Sequence, residues 1–187
     1  MRPSIQQASS RSLTLAFSNW GFSWGGILDN RKGEWWLIGQ ILLIVGHLSP
    51  TWPPLSKLGI FWPMWLMVGG LCLLLIGIFK ATKAFISLGA NLSPLPTPKP
   101  GSNMVQTGSY KSSRHPLYQG ILVGSCGVTI ALGSIFHIVL LISLTALLIG
   151  KAKREELLLR KKYLDYEQYL EATPAIFKGI PFLDWRS

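Results

Sequence analysis

The residues best equipped for polar chemistry fall in two clusters, Arg114-His115-Pro116-Leu117-Tyr118 and Glu155-Glu156, with a charge-free stretch at 119–150 between them. A guanidinium, an imidazole, a phenol and two carboxylates could together hold a small, polar, multiply charged molecule. The guanidinium suits a carboxylate, and the carboxylates suit ammonium and hydroxyl groups. Taken singly the parts are ordinary: Arg114 and Tyr118 suit interface anchors, and Glu156 stands i,i+4 before Arg160 as on a solvated helix. What singles them out is whether the chain brings them together.

The stretch 119–150 would rise about 48 Å as one helix, too long for one crossing of a hydrocarbon core of about 30 Å. Gly133-Ser134 lies near its middle and is the natural turn. The arms from Pro116 to Gly133 and from Ser134 to Lys151 have equal length, so the chain returns to the depth it left, with His115 and Glu155 as neighbours. Gly120, Gly124, Ser125 and Gly127 are expected to let the two arms approach closely.

The rest of the chain is membrane-like. Of its 187 residues 49% are hydrophobic and 14% charged, with a net charge of +10, too few charges for a typical soluble domain. The basic residues flank apolar runs, which favours orientation in a bilayer over nucleic-acid binding. An apolar run at 35–48 reaches only about 21 Å, whereas 59–79 reaches about 31 Å and opens with Phe61, Trp62 and Trp65 as an aromatic belt. Pro50, Pro53 and Pro54 break the chain between them into a short external loop. The expected fold is all-α and polytopic, with about four spans including the C-terminal hairpin. Basic residues crowd the tail (Arg2, Arg11, Arg31, Lys32), the segment Lys80 to Arg114 and the region after Gly150, but only Lys57 lies in the first external loop and none at Gly133. That alternation places both termini in the cytoplasm.

The expected organisation is a partly interfacial tail at 1–34, two membrane helices at 35–90, a proline-rich cytoplasmic connector at 91–107, and a hairpin with a C-terminal surface helix at 108–187. Trp20, Phe22 and Trp24 give the tail an interfacial character, and its Ser-rich, acid-poor start has a faint transit-peptide quality. Alternate prolines from Pro94 to Pro100 favour an extended polyproline path. After Gly150 the tyrosines at 163, 166 and 169 suggest a helix along the bilayer surface, ended by Pro174. Cys72 and Cys126, inside apolar runs, read as small core residues without metal-ligand spacing. His47 and His137 read as packed, hydrogen-bonded side chains.

Gly108-Ser109-Tyr110, then RHPLYQG at 114–120, an apolar hairpin, Glu155-Glu156-Leu157 and a tyrosine-spaced tail to Pro174 resemble the isoprenylcysteine carboxyl methyltransferase family and the related phospholipid N-methyltransferases. The resemblance runs from Leu88 to Pro181. It implies a membrane enzyme using S-adenosylmethionine to methylate a lipophilic or prenylated acceptor through a carboxylate, thiol or amine, oxygen being the first expectation. It also implies that Gly108, Tyr110, His115, Tyr118, Glu155 and Glu156 bind the cofactor, with Arg114 and Glu155 in catalytic roles and no metal. Lys162-Tyr163 stands where that family often has Phe-Gly. A sister family of NADPH-dependent sterol reductases has Asn where this chain has Leu117. A reductase and a non-catalytic lipid-binding protein are the alternative readings.

Overall fold

The computed structural model describes residues 24–186. Expectations for the tail before that, including Trp20 and Phe22, lie outside the described residues, as does the side chain of Trp24. Among the described residues the regular structure is helical throughout, with no strand: α1 (Trp24–Asp29), α2 (Glu34–Gly46), α3 (Met64–Leu88), α4 (Pro116–Leu132), α5 (Ile135–Lys162) and α6 (Tyr166–Ala172).

The hairpin forms where the turn chemistry puts it. Pro116 occupies the first turn of α4, where its missing N–H costs nothing. Gly133, at φ +58°, ends the helix with its N–H donated to Thr129 O at 3.0 Å. A side chain there would strike the indole of Trp62. Trp62 is therefore turned inward, donating Nε1–H to Ile130 O at 2.9 Å, and is no member of a lipid-facing belt. α3 begins at Met64, so the aromatic residues Phe61 and Trp62 precede the helix. The first loop clasps the same turn: Trp52 N–H donates to Ser134 Oγ at 3.2 Å, and Phe136 N–H donates to Trp52 O at 3.2 Å.

The glycine face of α4 meets α3 and not the other arm of the hairpin. A Cβ on Gly77 would lie 2.7 Å from Gly120 O, one on Gly127 2.6 Å from Gly70 O, and one on Gly120 2.5 Å from Ala81 N. Backbones so close gain dispersion where lipid offers no hydrophobic drive to association. The stripe was expected between the arms because sequence shows which face is smooth without showing its neighbour. α2 lies against α5 instead, with Gly39 beside Leu147, Gly46 beside Leu140 and Trp36 over Gly150.

α5 runs unbroken through Gly150 to Lys162, about 42 Å, so its basic half continues the apolar half as one helix. It ends at Tyr163; only Tyr166 and Tyr169 of the three spaced tyrosines are in the short α6. α3 and α5 have the length and composition to cross a bilayer, whereas α2 and α4 are shorter apolar helices. Leu71, Leu75, Ile78 and Phe79 of α3 are all more than half exposed, an outward face suited to lipid. Cys72 shares that exposure, so it is not a core residue, and Cys126 is half-buried. His47 and His137 are buried and face each other edge-on at 5.9 Å.

The contact between α3 and α4 yields a paired test. Gly77→Leu should lower the melting midpoint in detergent, with overpacking of about 1–3 kcal/mol. Gly69→Leu, where an added Cβ meets nothing within 4 Å, should leave it unchanged.

Candidate active site at the open end of the hairpin

Two consecutive glutamates on α5 project about 100° apart, and apart from His115, which lies between them, each has its own partners. Glu156 turns inward. Its Oε1 accepts Arg114 Nε–H at 2.7 Å and stands 2.9 Å from His115 Nε2, while Oε2 accepts the Trp185 indole N–H at 2.6 Å. Glu155 faces the open end, accepting the Tyr118 hydroxyl, with Oε2 at 3.5 Å from His115 Nδ1. The side chain of Arg114 is 0% exposed and that of Glu155 19%. Glu156 does not pair with Arg160, which binds Glu167 at 2.9 Å.

Backbone bonds fix the segment carrying Arg114 and His115. Arg114 N–H donates to Pro174 O and His115 N–H to Ala175 O, both at 2.9 Å, and Ser113 Oγ–H donates to Ala175 O at 2.8 Å. Arg114 Nη1 donates to Leu170 O at 2.8 Å and to Thr173 O, using carbonyls that the end of α6 leaves without helical partners. Its Nη2 has no partner.

These side chains wall a cavity of about 850 Å³ including its open mouth. Tyr110, Arg114, His115, Tyr118 and Glu155 line it. Gly108, at φ +61°, is packed against Ser87 and does not line it; neither does Glu156, which stands behind Arg114 and His115.

The connector supplies further lining, with Leu92, Leu95, Pro96, Met104 and Val105 among polar residues such as Asn91 and Asn103, and Leu88 beside it. Leu95 and Pro96 are buried, so the connector is packed against the protein and is not a free polyproline spacer. Lys162 Nζ donates to Lys99 O at 2.8 Å, the Tyr163 hydroxyl to Ser102 O at 2.5 Å, and Lys151 Nζ to Pro94 O at 2.9 Å and Gln40 Oε1 at 2.7 Å. Lys162-Tyr163, where the chain departs from the resembled pattern, is thus what straps the connector over the cavity.

Sequence reasoning missed Trp185, Lys151 and Tyr163. Lys151 carried a weak signal as the charge bounding the apolar arm. Trp185 carried none, since no period or motif leads to it.

Electrostatics give the groups different protonation states. Burial alone would lower the pKa of His115, but the bonds to Glu155 and Glu156 and their charges outweigh it and hold the imidazole above its ordinary 6.5. Burial, reinforced by the charge of Glu155, raises the Tyr110 hydroxyl well above 10 and keeps it neutral. Tyr169, raised chiefly by burial, also stays neutral and donates to Tyr110 O at 2.6 Å. A raised histidine pKa stabilises the fold fully below 6.5, and the contribution disappears as pH rises through the native value. The melting midpoint should therefore fall as pH climbs above 6.5, and His115→Gln should flatten that dependence.

The profile of the phospholipid methyltransferase family matches residues 65–165. That match runs from the first turn of α3 to the residue before α6, and it includes every nominated site residue. No curated protein and no solved structure gives a significant match. With more than half of its length matched, the chain belongs to the phospholipid methyltransferase family.

Proposed function

We propose that the protein is an S-adenosylmethionine-dependent methyltransferase of the membrane, acting on a lipophilic acceptor and akin to the isoprenylcysteine carboxyl methyltransferase-like members of its family. The observation that carries this reading is the cavity itself. Its lining joins the buried Arg114 and the partly exposed Glu155, which keeps spare acceptor capacity, to apolar side chains of the connector next to the end of the lipid-facing α3.

These residues fit the cofactor. Glu155, the partly exposed carboxylate of the lining, suits an ammonium or ribose hydroxyls. When bound, S-adenosylmethionine would supply an electrophilic methyl group on a sulfonium. Tyr118 and His115 hold Glu155 in orientation, and Glu156 holds His115 and Arg114, making it a positioning residue. The strapped connector closes one side of the cavity. The remaining task is alignment, which contributes most of the rate when neither reactant needs a covalent intermediate. The apolar part of the lining suits a prenyl or acyl tail, and the acceptor group we favour is a carboxylate oxygen.

The proposed topology has four crossings, with α2 and α4 completing those of α3 and α5. α4 rises about 26 Å, so the bilayer thins or is recessed beside it. The distribution of basic residues supports cytoplasmic placement of the termini, the connector and the cavity. A thiol at Lys57→Cys should react with an impermeant reagent in intact cells, and one at Lys99→Cys only after permeabilisation; the reverse pattern would refute this orientation.

Binding of S-adenosylmethionine to the purified protein tests the reaction class. Wild type should bind it in preference to NADPH. Glu155→Gln should weaken binding by about tenfold to a hundredfold, as for a lost charged hydrogen bond, at unchanged melting behaviour. Wild-type affinity in that variant would remove Glu155 from the site, and a wild-type protein that binds no S-adenosylmethionine would refute the reading.

A further inference from the structure

Beyond the site, the chain ends in a loop that water explains poorly. Phe182 is 83% exposed and Ile180 47%. Phe182 also has φ +65°, a left-handed conformation that an aromatic residue rarely adopts. The loop is nonetheless closely built. Ile176 N–H and Phe177 N–H both donate to Leu183 O, at 2.9 and 3.1 Å, and Leu183 N–H and Asp184 N–H donate to Ile180 O at 3.1 and 3.0 Å. Asp184 Oδ2 accepts Gly179 N–H at 2.9 Å, and its carboxylate is held by Arg186. Such a frame fixes two apolar side chains outward when it could have folded them in.

The position of the loop indicates what they meet. After Pro174 the chain doubles back along the hairpin: Ile176 O accepts the side-chain N–H of Gln119, inside α4, at 2.8 Å. Ile176 is fully buried in the cluster that includes Leu122, Leu144 and Leu148, with Phe177 and Leu183 packed against it. These are residues of the apolar arms near the open end of the hairpin, so the loop leaves the bundle close to where its membrane helices end. Lys178 is exposed at its start, and Lys153 lies over the Trp185 ring at 5.6 Å just beyond its end. Apolar side chains at a loop tip, with ammonium groups on either side, complement an anionic bilayer interface.

We propose that the loop at 178–182 is an interfacial anchor, with Phe182 and Ile180 seated at the boundary of acyl chains and headgroups and Lys178 among anionic headgroups. The same segment bonds to Arg114 and His115 through Pro174 and Ala175, and to Glu156 through Trp185. The anchor therefore sets the depth of the cavity relative to the lipid. This inference does not depend on the reaction class.

The test uses the full chain with Cys72→Ala and Cys126→Ala, reconstituted in nanodiscs of phosphatidylcholine with a minor share of phosphatidylglycerol. An environment-sensitive dye is attached at Phe182→Cys, separately at Ile180→Cys, and at Glu171→Cys on exposed α6 as the aqueous reference. Doxyl-labelled lipid should quench the 180 and 182 dyes at least about twofold more than the reference, with blue-shifted emission. Iodide quenching equal to the reference at both positions would overturn the proposal. So would shielding from both quenchers, which would mean that protein covers the loop.

Discussion

The structure around the site depends on one buried charge cluster: Arg114, His115 and Glu156, with Trp185 on the outer oxygen. Removing an arginine and a glutamate from water costs several kcal/mol per ion, so such a pair persists only if its remaining polar atoms are satisfied. Here Glu156 receives three donors, and Arg114 uses Nε on Glu156 and Nη1 on two carbonyls after α6. The cluster draws together the start of α4, the cytoplasm-proposed end of α5, the end of α6 and the C-terminal segment. Only Nη2 is left without a partner, in a residue that lines the cavity.

Holding those ends together requires the hairpin to close, and the hairpin is supported from both flanks. α3 approaches α4 through facing glycines, and α2 approaches α5 through Gly39, Gly46 and Gly150. The bundle leaves a cavity at its open end. The connector completes the enclosure there, tied by Lys151, Lys162 and Tyr163. Glu155 can then remain partly exposed while its neighbour is buried. This division lets one glutamate build the site and the other serve it.

Much of this was legible in the sequence because it followed from lengths. A charge-free run too long for one crossing, with Gly133-Ser134 at its centre, implies two arms, and equal arms imply that His115 returns to the level of Glu155. Less legible were choices that depend on a third element. A glycine stripe signals a close neighbour without naming it, so Gly120, Gly124 and Gly127 were assigned to the wrong helix. Local spacing favoured Arg160 for Glu156, but Glu156 pairs with the buried Arg114 far along the chain, and Arg160 pairs with Glu167. The alternate prolines signalled an extended path but not the lysines that would fold it over the cavity. Trp185 depends wholly on tertiary return of the chain, which no local pattern encodes.

If the charge cluster is what assembles the site, Arg114 and Glu156 must be energetically coupled. A double-mutant cycle with Arg114→Gln, Glu156→Gln and the combined variant, read as stability in detergent, measures that directly. The account predicts strong destabilisation by each single change, with the double variant less destabilised than the sum and a coupling of about 2 kcal/mol or more. Additive effects would contradict it.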